Sequence, residues 1–159
     1  NSIFHSCKRV YGRRPRYGYI VDSLKLFNPV LYAFGIETGT ERHFRKYLQS
    51  LGCTTIFRRP KIHADGSKSA SVDVNITIEA MRLLPNVTGL ILISNDHNLA
   101  PVITEYRNAG KYVFTIGVEI AKELRERSTK YAEITADATD TPADSMELLP
   151  DVPRDALEC

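Results

Sequence analysis

The chain has 159 residues, 43% of them hydrophobic and 25% charged, with a formal net charge of +2. That is one domain with room for a real core and the composition of a soluble globular protein. No apolar run approaches the roughly 20 residues of a membrane span, and no secretory leader is expected. The three cysteines, Cys7, Cys53 and Cys159, are scattered, odd in number and without C-x-x-C spacing, which excludes a disulfide framework or a zinc site as the organising device. A reducing, cytoplasmic compartment is the expectation.

In chain order, Ile3, Phe4, Cys7 and Val10 recur at helical spacing, which predicts a helix from Asn1 to about Val10. Gly12 to Pro15 is a loop. Tyr17 to Leu26 reads as a second short helix stopped near Asn28-Pro29. Val30 to Ile36 is a continuous apolar run of the buried-strand kind. Thr38-Gly39-Thr40 opens a helix with Thr40 as a candidate N-cap. That helix carries Phe44, Tyr47, Leu48 and Leu51 on one face and ends at Gly52. Thr54 to Phe57 is a strand, and His63 to Ser71 a polar loop turning at Asp65-Gly66. Val72 to Leu84 is a helix despite its β-branched residues. Gly89 to Ser94 is the most hydrophobic strand, with the look of a fully buried one. Leu99 to Ala109 is a helix closed by Gly110, Tyr112 to Ile116 a strand, Ile120 to Arg127 a helix, and Tyr131 to Ile134 a short closing strand.

Strands alternating with helices at this spacing imply a parallel sheet covered by helices on both faces. After residue 135 the character changes. Residues 136–159 hold seven acids, one arginine and prolines 142, 150 and 153, and read as an extended or disordered acidic C-terminal tail, with docking on a basic partner as the expected role.

The small net charge conceals an asymmetry. Up to Lys68 thirteen Lys/Arg face four acids, a net of +9, and the remainder nets −7. Arg13, Arg14 and Arg16 lie between Tyr11 and Tyr17, and Arg58, Arg59 and Lys61 follow Phe57. Arginines interleaved with aromatics suit phosphate contacts and base stacking. A solvated basic face accounts for the same charges.

In an open α/β sheet the active site lies at the carboxyl ends of the strands. Asp96, just past Ile91-Leu92-Ile93-Ser94, stands there, and Asn98 is two residues on. The structural alternative is capping, with Asp96 or Asn98 satisfying free amides of the next helix. Asp73, between Val72 and Val74, is a second candidate whose alternative role is first-turn helix stabilisation. Two carboxylates converging at one sheet end repel unless a cation separates them, and Mg²⁺ suits such a site. Histidines 5, 43, 63 and 97 are weaker signals.

Four segments, in order, carry a family resemblance. They are Asn1-Ser2-Ile3-Phe4-His5-Ser6, Lys68-Ser69-Ala70-Ser71-Val72-Asp73-Val74, Ser94-Asn95-Asp96-His97-Asn98-Leu99-Ala100-Pro101-Val102 and Arg107-Asn108-Ala109-Gly110-Lys111-Tyr112-Val113. Together they resemble the NYN domain, in particular its LabA-like (DUF88) branch, a relative of PIN-domain ribonucleases. The last two segments are specific in combination.

The resemblance covers residues 1–135. It implies a three-layer α/β/α fold with a mainly parallel central sheet, and an endoribonuclease using Mg²⁺ or Mn²⁺. It makes Asp73 and Asp96 the metal ligands, with Asn98 and Asn1 orienting water or phosphate. Arg13, Arg14, Arg16, Arg58, Arg59, Lys61 and Lys68 would hold RNA. The chain departs from the pattern at three points. The family's first strand, with its aspartate three residues before Asn1, is not in this sequence, so either the sequence begins after it or another segment supplies it. Asn98 stands where the family has a second strand-end aspartate, and Asn95 stands at a tightly turning glycine. The expectation is therefore a ribonuclease-type domain with an incomplete acidic site. The alternatives are a non-catalytic RNA-binding module or structural subunit of a homo-oligomer or larger assembly and, last, a nucleotide-binding regulatory domain, which would lack a Gly-rich phosphate loop.

Overall fold

The computed structural model describes residues 2–64, 68–69 and 71–140. Asn1, the Asp65-Gly66 turn, the Lys68 side chain and the acidic segment 141–159 lie outside the described residues.

Helix α1 spans Ser2–Tyr11 and α2 spans Tyr17–Leu24, continued by one 3-10 turn over Lys25–Phe27. Strand β1 is Tyr32–Ile36, α3 Arg42–Ser50 and β2 Thr54–Arg58. Two-residue strands β3, Lys61–Ile62, and β4, Lys68–Ser69, follow. Then come α4 (Asp73–Leu83), β5 (Gly89–Ile93), α5 (Ala100–Asn108), β6 (Tyr112–Gly117), α6 (Lys122–Arg127) and β7 (Lys130–Glu133). A 3-10 turn over His97–Leu99 leads into α5.

The periodicity arguments hold for every one of these helices and for the five longer strands, to within a few residues at the ends. The β3–β4 pair was not foreseen, because two residues carry no period to read. The cap of α3 also differs. Glu41, not Thr40, is at the cap position, and its side chain does not cap the helix. Its Oε2 instead accepts from the backbone N–H groups of Thr38 at 2.8 Å and Gly39 at 2.6 Å. A carboxylate reaches back across this tight loop more strongly than a threonine hydroxyl can.

The chain forms two compact units, residues 1–15 with 76–140, and a second that holds residues 16–75; the boundary falls inside α4. In the first unit β5, β6 and β7 make a wholly parallel ladder in that order, with Ile91 opposite Phe114 and Ile116 opposite Ala132. Its core joins Leu92 and Val113 of the sheet to Leu99, Val102, Ile103 and Tyr106 around α5 and to Ile120 and Leu124 around α6. Leu99, Val102, Ile103 and Tyr106 are spaced i, i+3, i+4 and i+7 along one helix face, and burying each is worth about 1.5–3 kcal/mol before entropy. The Tyr106 hydroxyl, in a residue only 1% exposed, donates to the Ala80 carbonyl of α4 at 2.7 Å. Gly110 closes α5 at φ +71°, a conformation that favours glycine, and turns the chain into β6. On α1, Ile3, Phe4 and Cys7 are buried.

The strand that reads as fully buried is not. Of β5 only Leu92 is buried, and Ile93 is 36% exposed. β5 stands at an end of its ladder among the described strands, and an end strand keeps one edge and part of its faces open. Residues 136–140 close the unit. Ala138 and Thr139 are buried, Thr139 bridges Pro15, and the Asp140 N–H donates to the Arg14 carbonyl at 2.8 Å.

In the second unit β1 and β2 are parallel, running from Tyr32 opposite Thr54 to Ile36 opposite Arg58. Helix α3 provides the crossover, with Leu48 buried. β3 and β4 pair antiparallel. The load-carrying ladders are thus parallel and joined by helices, a mixed α/β architecture. No helix among the described residues is long and apolar enough to cross a membrane.

Candidate functional site

In the first unit the polar run after β5 is built from the backbone outward. Ser94, 5% exposed, accepts from the Asp96 N–H at 3.1 Å through its hydroxyl. Asp96 has extended backbone angles and caps the 3-10 turn, its Oδ1 accepting from the Asn98 N–H at 3.0 Å. A helix start leaves amide groups without intrahelical partners, and a short carboxylate satisfies one of them. The capping alternative is therefore real for Asp96. The Asn98 side chain is exposed, as is His97, whose Nδ1 lies 4.0 Å from Asp96 Oδ1.

Asn95, read from sequence as bulk at a glycine position, is the cross-link of this region. Its Oδ1 accepts from the Val118 N–H at 2.8 Å, and its Nδ2 donates to Ser6 Oγ at 2.7 Å. A backbone N–H can only donate, so the amide orientation is fixed by its partners. One side chain thereby ties α1 to the exits of β5 and β6. The room comes from Gly117, where an added Cβ would overlap Asn95 Oδ1.

Two further acids sit at the carboxyl end of this sheet. Glu133, the last residue of β7, accepts from the N–H groups of Glu119 at 2.9 Å and Ile120 at 3.4 Å. Glu119 follows β6 at φ +52° and pairs with Arg9 of α1. The Tyr11 hydroxyl donates to the Ile134 carbonyl at 2.7 Å. Sequence reasoning missed Ser6, Glu119 and Glu133, and it took Asn95 only as a departure from the family pattern. The available signal was an acid two residues past β6 and another as the last residue of β7. Among the described residues no three His, Cys, Asp or Glu side chains gather where they could hold a metal ion.

In the second unit Asp73 opens α4. The Ser71 hydroxyl donates to Asp73 Oδ2 at 3.1 Å and accepts from the Asp73 N–H at 3.3 Å. An acid in the first turn also suits the helix dipole. Two residues on, Asn75 Oδ1 accepts from Arg58 Nε at 3.1 Å and Nη2 at 2.9 Å. The β1–β2 register places Arg58 beside Ile36, so Glu37 and Arg59 leave the same end of the sheet. Glu37 receives Arg45 Nη2 at 3.1 Å and Arg59 Nε at 3.0 Å. The hydrogen bond from Arg45, then that from Arg59, holds the Glu37 carboxyl below its ordinary range. Burial works to raise Glu41, but the backbone N–H groups around it outweigh that and its pKa is also lowered.

The Arg45 guanidinium stacks 4.5 Å from the Phe57 ring centre. Arg59 remains 91% exposed in spite of its pairing, and Arg42, Arg58 and Lys61 are exposed as well. The carboxyl end of β1–β2 is thus a rim of arginines, two of which donate to the Glu37 carboxylate.

The other expected residues divide between the units. Asp96, Asn98, Arg13 and Arg14 belong to the first, and Asp73, Arg16, Arg58, Arg59 and Lys61 to the second. Arg13 and Arg14 are half-buried, and Arg16 lies 5.7 Å from the Tyr19 ring centre. The tyrosines of the 11–17 stretch have structural partners, Tyr11 as above and Tyr17 against the Phe44 ring at 5.3 Å.

A family model described as the NYN domain matches residues 1–135. A crystal structure of a protein of unknown function from Vibrio parahaemolyticus RIMD 2210633 is similar, with a TM-score of 0.77 and 21% sequence identity. The match covers 87% of this chain and 90% of that one. At that identity the likeness shows the fold alone. No curated protein matches the chain.

Proposed function

The chain belongs to the NYN domain family, whose members are generally nucleases acting on RNA, and from that premise we propose that it grips the RNA backbone with the arginine rim at the carboxyl end of β1–β2. Assignment to the LabA-like branch rests on the segments around Asp73, Asp96 and Gly110-Lys111. The observation that carries the binding reading is the rim itself. Arg45 and Arg59 hold the Glu37 carboxylate in hydrogen-bond geometry, and Arg58 and Arg59 remain exposed. A guanidinium fork matches phosphate as it matches carboxylate.

Mg²⁺ demands a near-octahedral oxygen set with one or two carboxylates beside its waters. Asp73 and Asp96 are each engaged at a helix start, and no three metal-ligating side chains gather among the described residues. Binding is the function proposed because the rim carries it within one unit, and metal-assisted cleavage stands as the alternative. One observation favours the hydrolytic alternative. Asp96 stands past the carboxyl end of β5 with its side chain 30% exposed, the place where this architecture concentrates chemistry.

The test is binding of a labelled single-stranded RNA over a series of salt concentrations. Affinity is expected to fall with a log–log slope of about −0.7 per phosphate contacted. Replacing Arg58 and Arg59 by alanine should weaken binding and flatten the slope by roughly 1.4. Absent or salt-insensitive binding by the wild type overturns the reading. Incubation of the same RNA with Mg²⁺ or Mn²⁺ decides the alternative: cleavage that Asp96→Ala abolishes would establish hydrolysis.

A further inference from the structure

The rim that would take phosphates has a competitor within the same chain. Residues 141–159 contain Asp144, Glu147, Asp151, Asp155 and Glu158 against the single base Arg154, a net of −4. Residues 16–75, which include the rim, net +4. We propose that the acidic segment 141–159 docks on the arginine rim of β1–β2 and competes there with RNA, so that the chain restrains its own binding. The inference rests on the same rim as the proposed function and adds a regulator to it.

The chemistry of recognition is already visible at that rim. Arg45 and Arg59 hold the carboxylate of Glu37, so carboxylates are accepted ligands of these guanidinium groups. Arg42, Arg58, Arg59 and Lys61 are exposed around it, and Ile62 beside them is 68% exposed. The segment matches both features. Its acids are spaced three or four apart, and Met146, Leu148, Leu149 and Val152 fall between them.

Attachment supplies the rest. Nineteen residues follow Asp140, a contour of about 60 Å if fully extended. A tethered ligand acts at an effective concentration in the millimolar range, enough for weak ion pairing to compete. Each carboxylate that docks occupies an arginine that a phosphate would otherwise use.

The experiment uses the full chain with the five acids of the segment changed to their amides: D144N, E147Q, D151N, D155N and E158Q. Binding of labelled single-stranded RNA is measured at low and high salt, in the otherwise wild-type chain and in the R58A/R59A background. The neutralised chain is expected to bind RNA about threefold or more tightly at low salt, with the gain shrinking as salt screens the competition. The gain should vanish in the R58A/R59A background. Equal affinity with and without the acids overturns the proposal. So does a gain that persists undiminished without Arg58 and Arg59, since that is a general charge effect.

A labelled peptide of residues 141–159, titrated with the neutralised chain, separates this proposal from the RNA reading. Peptide binding that needs Arg58 and Arg59 supports docking even if RNA does not bind. RNA binding with no peptide binding leaves the RNA reading standing and removes the docking.

Discussion

Asn95→Ala is the sharpest perturbation of the strand-end region. It deletes the acceptor of the Val118 N–H and the donor to Ser6 Oγ, bonds of 2.8 and 2.7 Å. A typical intramolecular hydrogen bond is worth about 1 kcal/mol net, and stranding a buried donor costs about 1–3 kcal/mol. Val118 is only 1% exposed, so its N–H cannot turn to water. The expected loss is therefore about 2–3 kcal/mol, at the upper end if no water enters the gap. For a chain of this length that corresponds to a fall in Tm of roughly 4–12 °C.

Urea unfolding followed by circular dichroism reads it as a lower midpoint at unchanged slope. Combined with Ser6→Ala in a double-mutant cycle, the pair should show a coupling of about 1 kcal/mol, the share of the Asn95–Ser6 bond. Gly117→Ala offers an independent check. Its methyl would overlap Asn95 Oδ1, so it should destabilise the wild type by about 1–3 kcal/mol and cost less in the Asn95→Ala background. A loss below about 0.5 kcal/mol for Asn95→Ala, or strict additivity with Ser6→Ala, would refute the cross-link.

Three other outcomes follow from the same structure. Tyr106→Phe keeps the ring but removes the bond to the Ala80 carbonyl, and should cost about 1 kcal/mol in the same urea assay. Glu37 and Glu41 have lowered pKa values, so they bind protons less readily folded than unfolded. Their contribution is complete above the ordinary carboxylate range and is lost as pH falls through it to the folded values; the urea midpoint should drop on that acid limb, less steeply in E37Q/E41Q. Burial pushes the Cys7 thiol up to about 11, and the residue is 0% exposed. Cys7 should resist alkylation in the native chain at mildly alkaline pH and react once urea unfolds it, as peptide mapping of the alkylated protein would report.

Local order was legible because it is written in local patterns. The 3.6-residue spacing on α1 and α3, the apolar runs of β1 and β5 and the glycine after α5 each involve residues a few positions apart. Asp96 could be singled out because alternating strands and helices put strand carboxyl ends at the functional rim. That reasoning pointed to the right neighbourhood but not to its wiring. Asn95 meets Ser6 across 89 residues and Val118 across 23, and Arg58 meets Asn75 across 17. No period or motif encodes such pairs.

From its residues alone this chain specified its succession of helices and parallel strands, its family and the strand-end position of Asp96, since each follows from short-range sterics, hydrophobic spacing or short sequence segments. Only the folded chain decided that β5 ends its ladder among the described strands, that Asp96 caps a turn, and that Asn95 ties three segments together. It also decided that Glu37 gathers two arginines at one sheet end. Those outcomes depend on which distant groups arrive within hydrogen-bond reach, and burial then makes each polar atom take the partner at hand.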